Sequence, residues 1–429
     1  MNNKRIILHI DMNSYFASVE QQANPFLRGK AVGVCAYMSP GGCIIASSAE
    51  AKAKGIKTGC TVRDAKQLDP DVVLVENEPA KYRSTTERIF SILAEYTDRL
   101  EPYSIDESFL DLTGWTSDFG AARDLGILIQ RRIKDEVGEW LNCSVGISWT
   151  KFLAKFAGDI APKKGMVVIG ENLSCPPLLK GVSGGCFEWM SLDGALRDRP
   201  LTDAWGINSA MEARLNALGI KTLLDLKLYD KDKIRRVFGR YGYYLWANVN
   251  GIEITKVENG TPPPKSVGHS YCIPKKTKDK EYLSLVLYKL CEKTGRRLRS
   301  LELEANVINI FFAYTYGGGT GKSFKTSERM FTTEEIYRYA GGFLERTQIL
   351  LPVRMIAVSV TRLSSVSSQM GLFYDNLKMK DLSRAMDRIN DKYGEYTVCR
   401  GLMFGTENVA RDRIGFRKTL PAPGVSVSG

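Results

Sequence analysis

The apolar run Ile6-Ile7-Leu8-His9-Ile10 ends on Asp11, and Tyr15-Phe16-Ala17 with Val19 opens a second apolar stretch. This pattern predicts a strand over residues 1–14 that closes on an acid, then a helix through Glu20 broken by Asn24-Pro25. A strand from Ala31 to Ala36, a turn at Ser39-Pro40-Gly41-Gly42 and a helix from Ala49 to Lys54 stopped by Gly55 follow. Helix 79–100, a hairpin at Tyr103-Ser104-Ile105-Asp106-Glu107-Ser108, helix 120–140 and strand 143–148 then predict a mixed sheet carrying helices.

Cys175-Pro176-Pro177 with Gly181, Gly184 and Gly185 predicts a boundary near 171–190. Beyond it, Trp205-Gly206-Ile207 and Leu218-Gly219-Ile220 frame two short helices with glycines at the turns. Such a hairpin offers backbone N–H groups to a phosphate, although an ordinary helix pair has the same pattern. Pro262-Pro263-Pro264 predicts a stiff linker. After it come strand 266–273, helix 279–302, strands 305–315 and 322–330, helix 333–349 and strand 353–363, a β-α-β-β-α-β module. In its first helix, Leu283, Val286, Leu287 and Leu290 have the spacing of a buried stripe, which leaves Lys289, Lys293, Arg296 and Arg297 for a partner.

At 429 residues the chain is long enough for about three domains. No apolar run approaches the ~18 residues of a membrane span, so the expectation is a cytoplasmic chain without a membrane partner. Nine cysteines with no Cys-x-x-Cys pair, and only two histidines, argue against a zinc site or a disulfide framework. A net charge of +12 points to a polyanionic partner. Ten basic residues against three acidic ones lie between Lys265 and Arg299, as either a solvated helix face or a surface that tracks a phosphate backbone.

Asp11, Asp106 and Glu107 carry the candidate chemistry. Carboxylates brought together raise one another's pKa unless cations neutralise them, and magnesium suits such hard oxygen ligands. If the two contexts meet, they make a two-metal site for in-line phosphoryl transfer. Successive strand residues face opposite ways, so Asp106 and Glu107 can serve one site only from a turn or strand end.

The stretch Asp11-Met12-Asn13-Ser14-Tyr15-Phe16-Ala17-Ser18-Val19-Glu20, followed by Ser104-Ile105-Asp106-Glu107, resembles the Y-family translesion DNA polymerases. Ala49-Glu50-Ala51-Lys52, Ala161-Pro162-Lys163-Lys164, Trp205-Gly206-Ile207 and Gln369-Met370-Gly371-Leu372-Phe373 resemble its bacterial UmuC-like branch. The resemblance implies an α+β multidomain fold. Its palm would span 1–14 and 79–170, its fingers 15–78, a helix-hairpin-helix-type thumb 171–258, a linker 259–265, a little finger 266–363 and a tail 364–429. It implies two Mg2+ ions on Asp11, Asp106, Glu107 and the Met12 carbonyl, and a steric gate at Phe16. Tyr15, Phe16, Lys52 and Lys163 or Lys164 would meet the dNTP, while Lys151, Gly206, Gly219 and the four basic residues of the late helix would meet primer–template DNA. Gln369, Leu372 and Phe373 fit a peptide that docks on the sliding clamp, and a UmuD-like accessory dimer and a recombinase filament are further implied partners. A non-catalytic primer–template scaffold and a nucleotidyl cyclase on a palm-like sheet are the competing classes. The scaffold does not need all three carboxylates, and the cyclase leaves the basic module and clamp-like peptide unexplained.

Overall fold

The computed structural model describes residues 5–170, 186–260, 263–366, 376–407 and 409–411. The chain divides between Pro262 and Pro263 into two compact units.

The first unit opens with β1 (Ile7–Met12) and α1 (Tyr15–Ala23). Next come β2 (Val32–Cys35), β3 (Ile44–Ser47), α2 (Ala49–Ala53), α3 (Val62–Leu68) and β4 (Val73–Glu76). These three strands form a separate sheet in the order β3-β2-β4, with a small core of Ile44, Ile56, Val62 and Ala65. The chain continues through α4 (Pro79–Ala94), β5 (Leu100–Pro102), β6 (Glu107–Asp111), α5 (Phe119–Arg132), β7 (Cys143–Ser148), α6 (Lys151–Ile160), β8 (Met166–Gly170) and β9 (Phe187–Ser191). Six strands join in the order β5-β6-β1-β7-β8-β9.

Alternation along β1 decides which face meets what. Leu8, Ile10 and Met12 enter the main core with Val145, Ile147, Met166, Ile89 and Ile127, on the α4 and α5 side. Ile7 clusters with Phe109 and the α6 residue Ala154 on the opposite face, where His9 and Asp11 must also point. Helix α6 lies almost on the strand there. A Cβ on Gly146 would come within 2.1 Å of the Ala154 carbonyl oxygen, and one on Gly158 within 2.7 Å of His9 Nδ1.

Strand β9 corrects the expected domain limit. It pairs in parallel with β8, so 187–191 belong to the large sheet and the helical region begins after them. This half-exposed edge strand lacks the clean alternation that would have disclosed it. Cys175 and the glycines Gly181, Gly184 and Gly185 lie outside the described residues. Helices α7 (Leu192–Leu196), α8 (Ser209–Asn216), α9 (Leu223–Leu228) and α10 (Lys231–Val249) follow, packed around Leu215, Leu223, Leu226 and Ile234.

The second unit contains β10 (Ser266–Thr277), α11 (Lys280–Ser300), β11 (Leu303–Tyr314), β12 (Gly319–Met330), α12 (Thr333–Arg346) and β13 (Val353–Ser365), as the periodicity predicted. All pairings are antiparallel in the order β10-β13-β11-β12. The face bearing Ile308, Ile310, Phe312, Val358 and Val360 is buried, and Phe312 stacks on Phe343 of α12. The other face carries Ser270, Asn309, Phe311, Ser323, Ala357 and Ser359, all exposed or half-exposed. A last helix, α13 (Asn376–Tyr393), runs beside α11, with Arg299 forked onto Asp387 at 2.5 and 2.9 Å.

Candidate active site

The acidic contexts meet. In the antiparallel pairing of β1 with β6, Asp11 stands directly opposite Glu107, and the Met12 N–H donates to the Asp106 carbonyl at 3.0 Å. Asp106 precedes the first strand residue, so it sits in the turn that side-chain alternation required. Ser104 Oγ donates to Asp106 Oδ1 at 2.5 Å and fixes that carboxylate. Helix α6 supplies the counter-charge: Lys155 Nζ lies 3.1 Å from Glu107 Oε2 and 3.5 Å from Asp159 Oδ1. Behind Glu107 lies the fully buried His9, its Nε2 3.8 Å from Oε2, beyond hydrogen-bond length.

The electrostatics follow from this packing. Burial, then the charges of Glu107 and Asp106, push Asp11 up to about 8. Burial likewise raises Asp106. Burial alone would raise Glu107 too, but the His9 ring and the Lys155 ammonium outweigh it and hold Glu107 at about 2. Asp11 and Asp106 thus stay raised even though the Lys155 ammonium acts on both. That donor set fits a divalent cation, although among the described residues no three side chains stand preset as a metal cradle. Lys155 draws Glu107 to itself and Ser104 draws Asp106, which accounts for the unassembled arrangement.

The loop after β1 shapes the mouth. Ser14 takes a left-handed φ of 51°, and its Oγ accepts from Lys52 Nζ at 2.7 Å. Lys52 is exposed as a whole, yet partial enclosure of its ammonium and the nearby charge of Lys163 push its pKa down. Lys163 therefore converges with Lys52 beside Asp11. Lys164, also left-handed at 65°, uses its N–H on Asn13 Oδ1 at 2.8 Å. Phe16 is buried at the start of α1, its ring 4.7 Å from that of Tyr82.

Several side chains expected to meet nucleotide or DNA are engaged within the protein. Tyr15 is buried and its hydroxyl donates to the Tyr82 carbonyl at 2.8 Å, so its side chain supports the site and does not line it. Lys151, expected to meet DNA, is only 7% exposed, with Nζ 2.6 Å from both oxygens of Glu101 in a buried ion pair. Lys289 is buried against Glu292 and the Tyr396 ring. Lys293 donates to the Ala410 carbonyl, and Arg296 pairs with Asp391 and Glu395. The segment from α13 onward therefore covers the basic face expected to meet DNA, and of the four residues only Arg297 is exposed. Gly206 and Gly219 both have positive φ, 99° and 80°, but the Gly219 N–H already donates to the Asn216 carbonyl. Gln369, Leu372 and Phe373 lie outside the described residues.

Sequence reasoning passed over Lys155, one helical turn after Lys151 on the same face of α6, and that i,i+4 spacing was its available signal. Ser104 and Glu20, which brace the site, stood inside the two acidic stretches without a role read for them, and Tyr82 and Thr86 carried no signal in the mostly polar first turns of α4.

A carboxylate-bearing mixed sheet with a small inserted sheet, a helical region and a separate α/β unit defines a nucleotidyl-transferring polymerase. The impB/mucB/samB family model matches residues 10–159, and the model of that family's C-terminal domain matches 264–372. DNA polymerase IV of Pelotomaculum thermopropionicum is 30% identical over 416 residues, covering 96% of this chain and 98% of that protein. DNA polymerase IV of Bacillus velezensis is 31% identical over 410 residues, covering 94% of each. A Y-family DNA polymerase chimera built on Dbh shares the fold with a TM-score of 0.71 at 23% identity, covering 84% of this chain and 100% of that one. The chain belongs to the impB/mucB/samB family of Y-family translesion DNA polymerases.

Proposed function

We propose that this chain is a low-fidelity DNA polymerase that transfers nucleotides from dNTPs to a primer 3′ end across damaged template. The observation that carries this reading is the strand register that sets Asp11 opposite Glu107, with Asp106 in the adjoining turn. Asp11, Asp106, Glu107 and the Met12 carbonyl would hold two magnesium ions. Bound there, the metal supplies Lewis-acid activation of the attacking hydroxyl and neutralises the leaving pyrophosphate. Lys52 and Lys163 neutralise the triphosphate, where fixed positive charge favours the transition state. Lysine lacks arginine's bidentate fork, so the grip is looser than an arginine would give. Phe16 lies against the sugar and excludes a 2′-hydroxyl.

The fingers, thumb and little finger are read as 15–78, the helices α7–α10 after β9, and 266–363. In the last of these, the uncovered sheet face with its small polar residues supports DNA contact better than the covered α11 face. Ala49 and Lys52 support the UmuC-like branch, although the relatives above carry the name DNA polymerase IV. Cytoplasmic location, clamp docking through Gln369, Leu372 and Phe373, and help from a UmuD-like dimer and a recombinase filament belong to the same proposal. Among the described residues no helix is long and apolar enough to cross a membrane.

Primer extension with magnesium and deoxynucleotides tests the reading. Extension should vanish with a chelator and in Asp106→Ala, which should still bind primer–template DNA. A pure chain that binds DNA but never extends, even with clamp and accessory subunits, would return the scaffold alternative.

A further inference from the structure

We propose that Glu20 determines the sugar selectivity of the nucleotide site by holding Tyr82, and through it the Phe16 ring, in a single position. The inference rests on Phe16 being the gate. Glu20 lies four residues after Phe16 on α1, and although ionisable it is only 4% exposed. A carboxylate persists in such a place only when hydrogen-bonded. Tyr82 Oη donates to Glu20 Oε1 at 2.6 Å, and Lys81 Nζ donates to Oε2 at 2.9 Å. Lys81 also reaches Glu78 at 3.1 Å.

This clamp acts on a ring with no polar handle. Phe16 is held by neighbours alone, its centroid 5.6 Å from that of Tyr15 and 4.7 Å from that of Tyr82 at an interplanar angle of 42°. The Tyr82 ring is fully buried and its hydroxyl is drawn toward α1 by a charge-assisted bond, the short, directional kind. The backbone beneath is fixed as well. The Tyr82 carbonyl accepts the Tyr15 hydroxyl, and Thr86 on the next turn of α4 donates to the Ile105 carbonyl at 2.7 Å, beside Asp106. A steric gate works by contact, so about 1 Å of freedom at the ring weakens exclusion without disturbing the reacting groups. Glu20 is accordingly a positioning residue.

The test is the ratio of kcat/KM for a ribonucleotide to that for the matching deoxynucleotide, measured in the full chain. Glu20→Ala and Tyr82→Phe should each raise the ratio about 10-fold, with deoxynucleotide efficiency held within about threefold. The double variant should raise it no further, because both changes break one link. Glu20→Gln, which keeps an acceptor for Tyr82, should restore the parent ratio. Phe16→Ala is the control and should raise the ratio more than either. Should Glu20→Ala fail to fold, Tyr82→Phe, which deletes a single oxygen, still decides the matter. An unchanged ratio in Tyr82→Phe and Glu20→Ala beside a raised one in Phe16→Ala overturns the role of Glu20 and leaves the gate standing. Equal losses for both sugars with a lowered melting temperature show a merely structural pair and also overturn it. A flat Phe16→Ala control removes the gate, and the proposal with it.

Discussion

Lys52 and Lys163 carry like charges near one another beside Asp11, an arrangement that repels unless an anion lies between them. In the proposed reaction an incoming triphosphate would supply that anion. Hydrogen bonds to charged groups contribute about 1.5–3 kcal/mol, so Lys163→Ala should raise KM for dNTP by roughly 10- to 100-fold. Lys164→Ala should change it little, since that residue's recorded contact in the loop is made by its backbone N–H. Steady-state kinetics on both variants decides between the two residues, which the sequence left open. At this scale the carboxylates were legible, because an acid closing an apolar run and an acidic pair at a predicted turn have distinctive local patterns. The lysines were not. Lys151 and Lys155 share one face of α6, and only the tertiary register of that helix sends the first to Glu101 and the second to Glu107.

Helix α6 is held to β5 by the Lys151–Glu101 pair, and Glu101 Oε2 also accepts the Glu258 N–H at 2.9 Å. Removing one partner of a buried pair leaves the other charge uncompensated, so Lys151→Met should cost about 3–5 kcal/mol of stability. A thermal melt checks this, and DNA affinity measured below the transition should stay within about twofold. Helix α11 teaches the same lesson. Its periodicity located the helix to within two residues at each end, but not that Asp387, Asp391 and Glu395 would cover its cations. A hydrophobic stripe reports which face meets the core, whereas a charged face reads alike whether water, a nucleic acid or another helix lies over it. Lys289→Ala and Arg296→Ala should therefore leave the salt dependence of DNA binding unchanged. Lys325→Ala, on the strand bearing Ser323, should reduce the slope of log K against log salt by about 1. Binding titrations across a salt series distinguish the two surfaces.

The whole chain is two compact units joined near Pro262, with both the acidic site and the candidate triphosphate lysines in the first unit. A net charge of +12 favours phosphate backbone of any sequence, and such binding weakens steeply with salt. A chain held to DNA mainly this way dissociates often at physiological ionic strength, so sustained synthesis calls for a second attachment. The segment Gln369-Met370-Gly371-Leu372-Phe373, which follows the last strand of the second unit in the sequence, is the peptide proposed for it. A tethered polymerase rebinds at the effective concentration set by its linker, a gain of about 10²–10⁴ without any new contact at the active site. Alanine at Gln369, Leu372 and Phe373 together should therefore leave extension without the clamp unchanged while abolishing its stimulation by the clamp. Product-length distributions with and without the clamp read this directly. Stimulation that survives the triple change would mean that the clamp is gripped elsewhere on the chain.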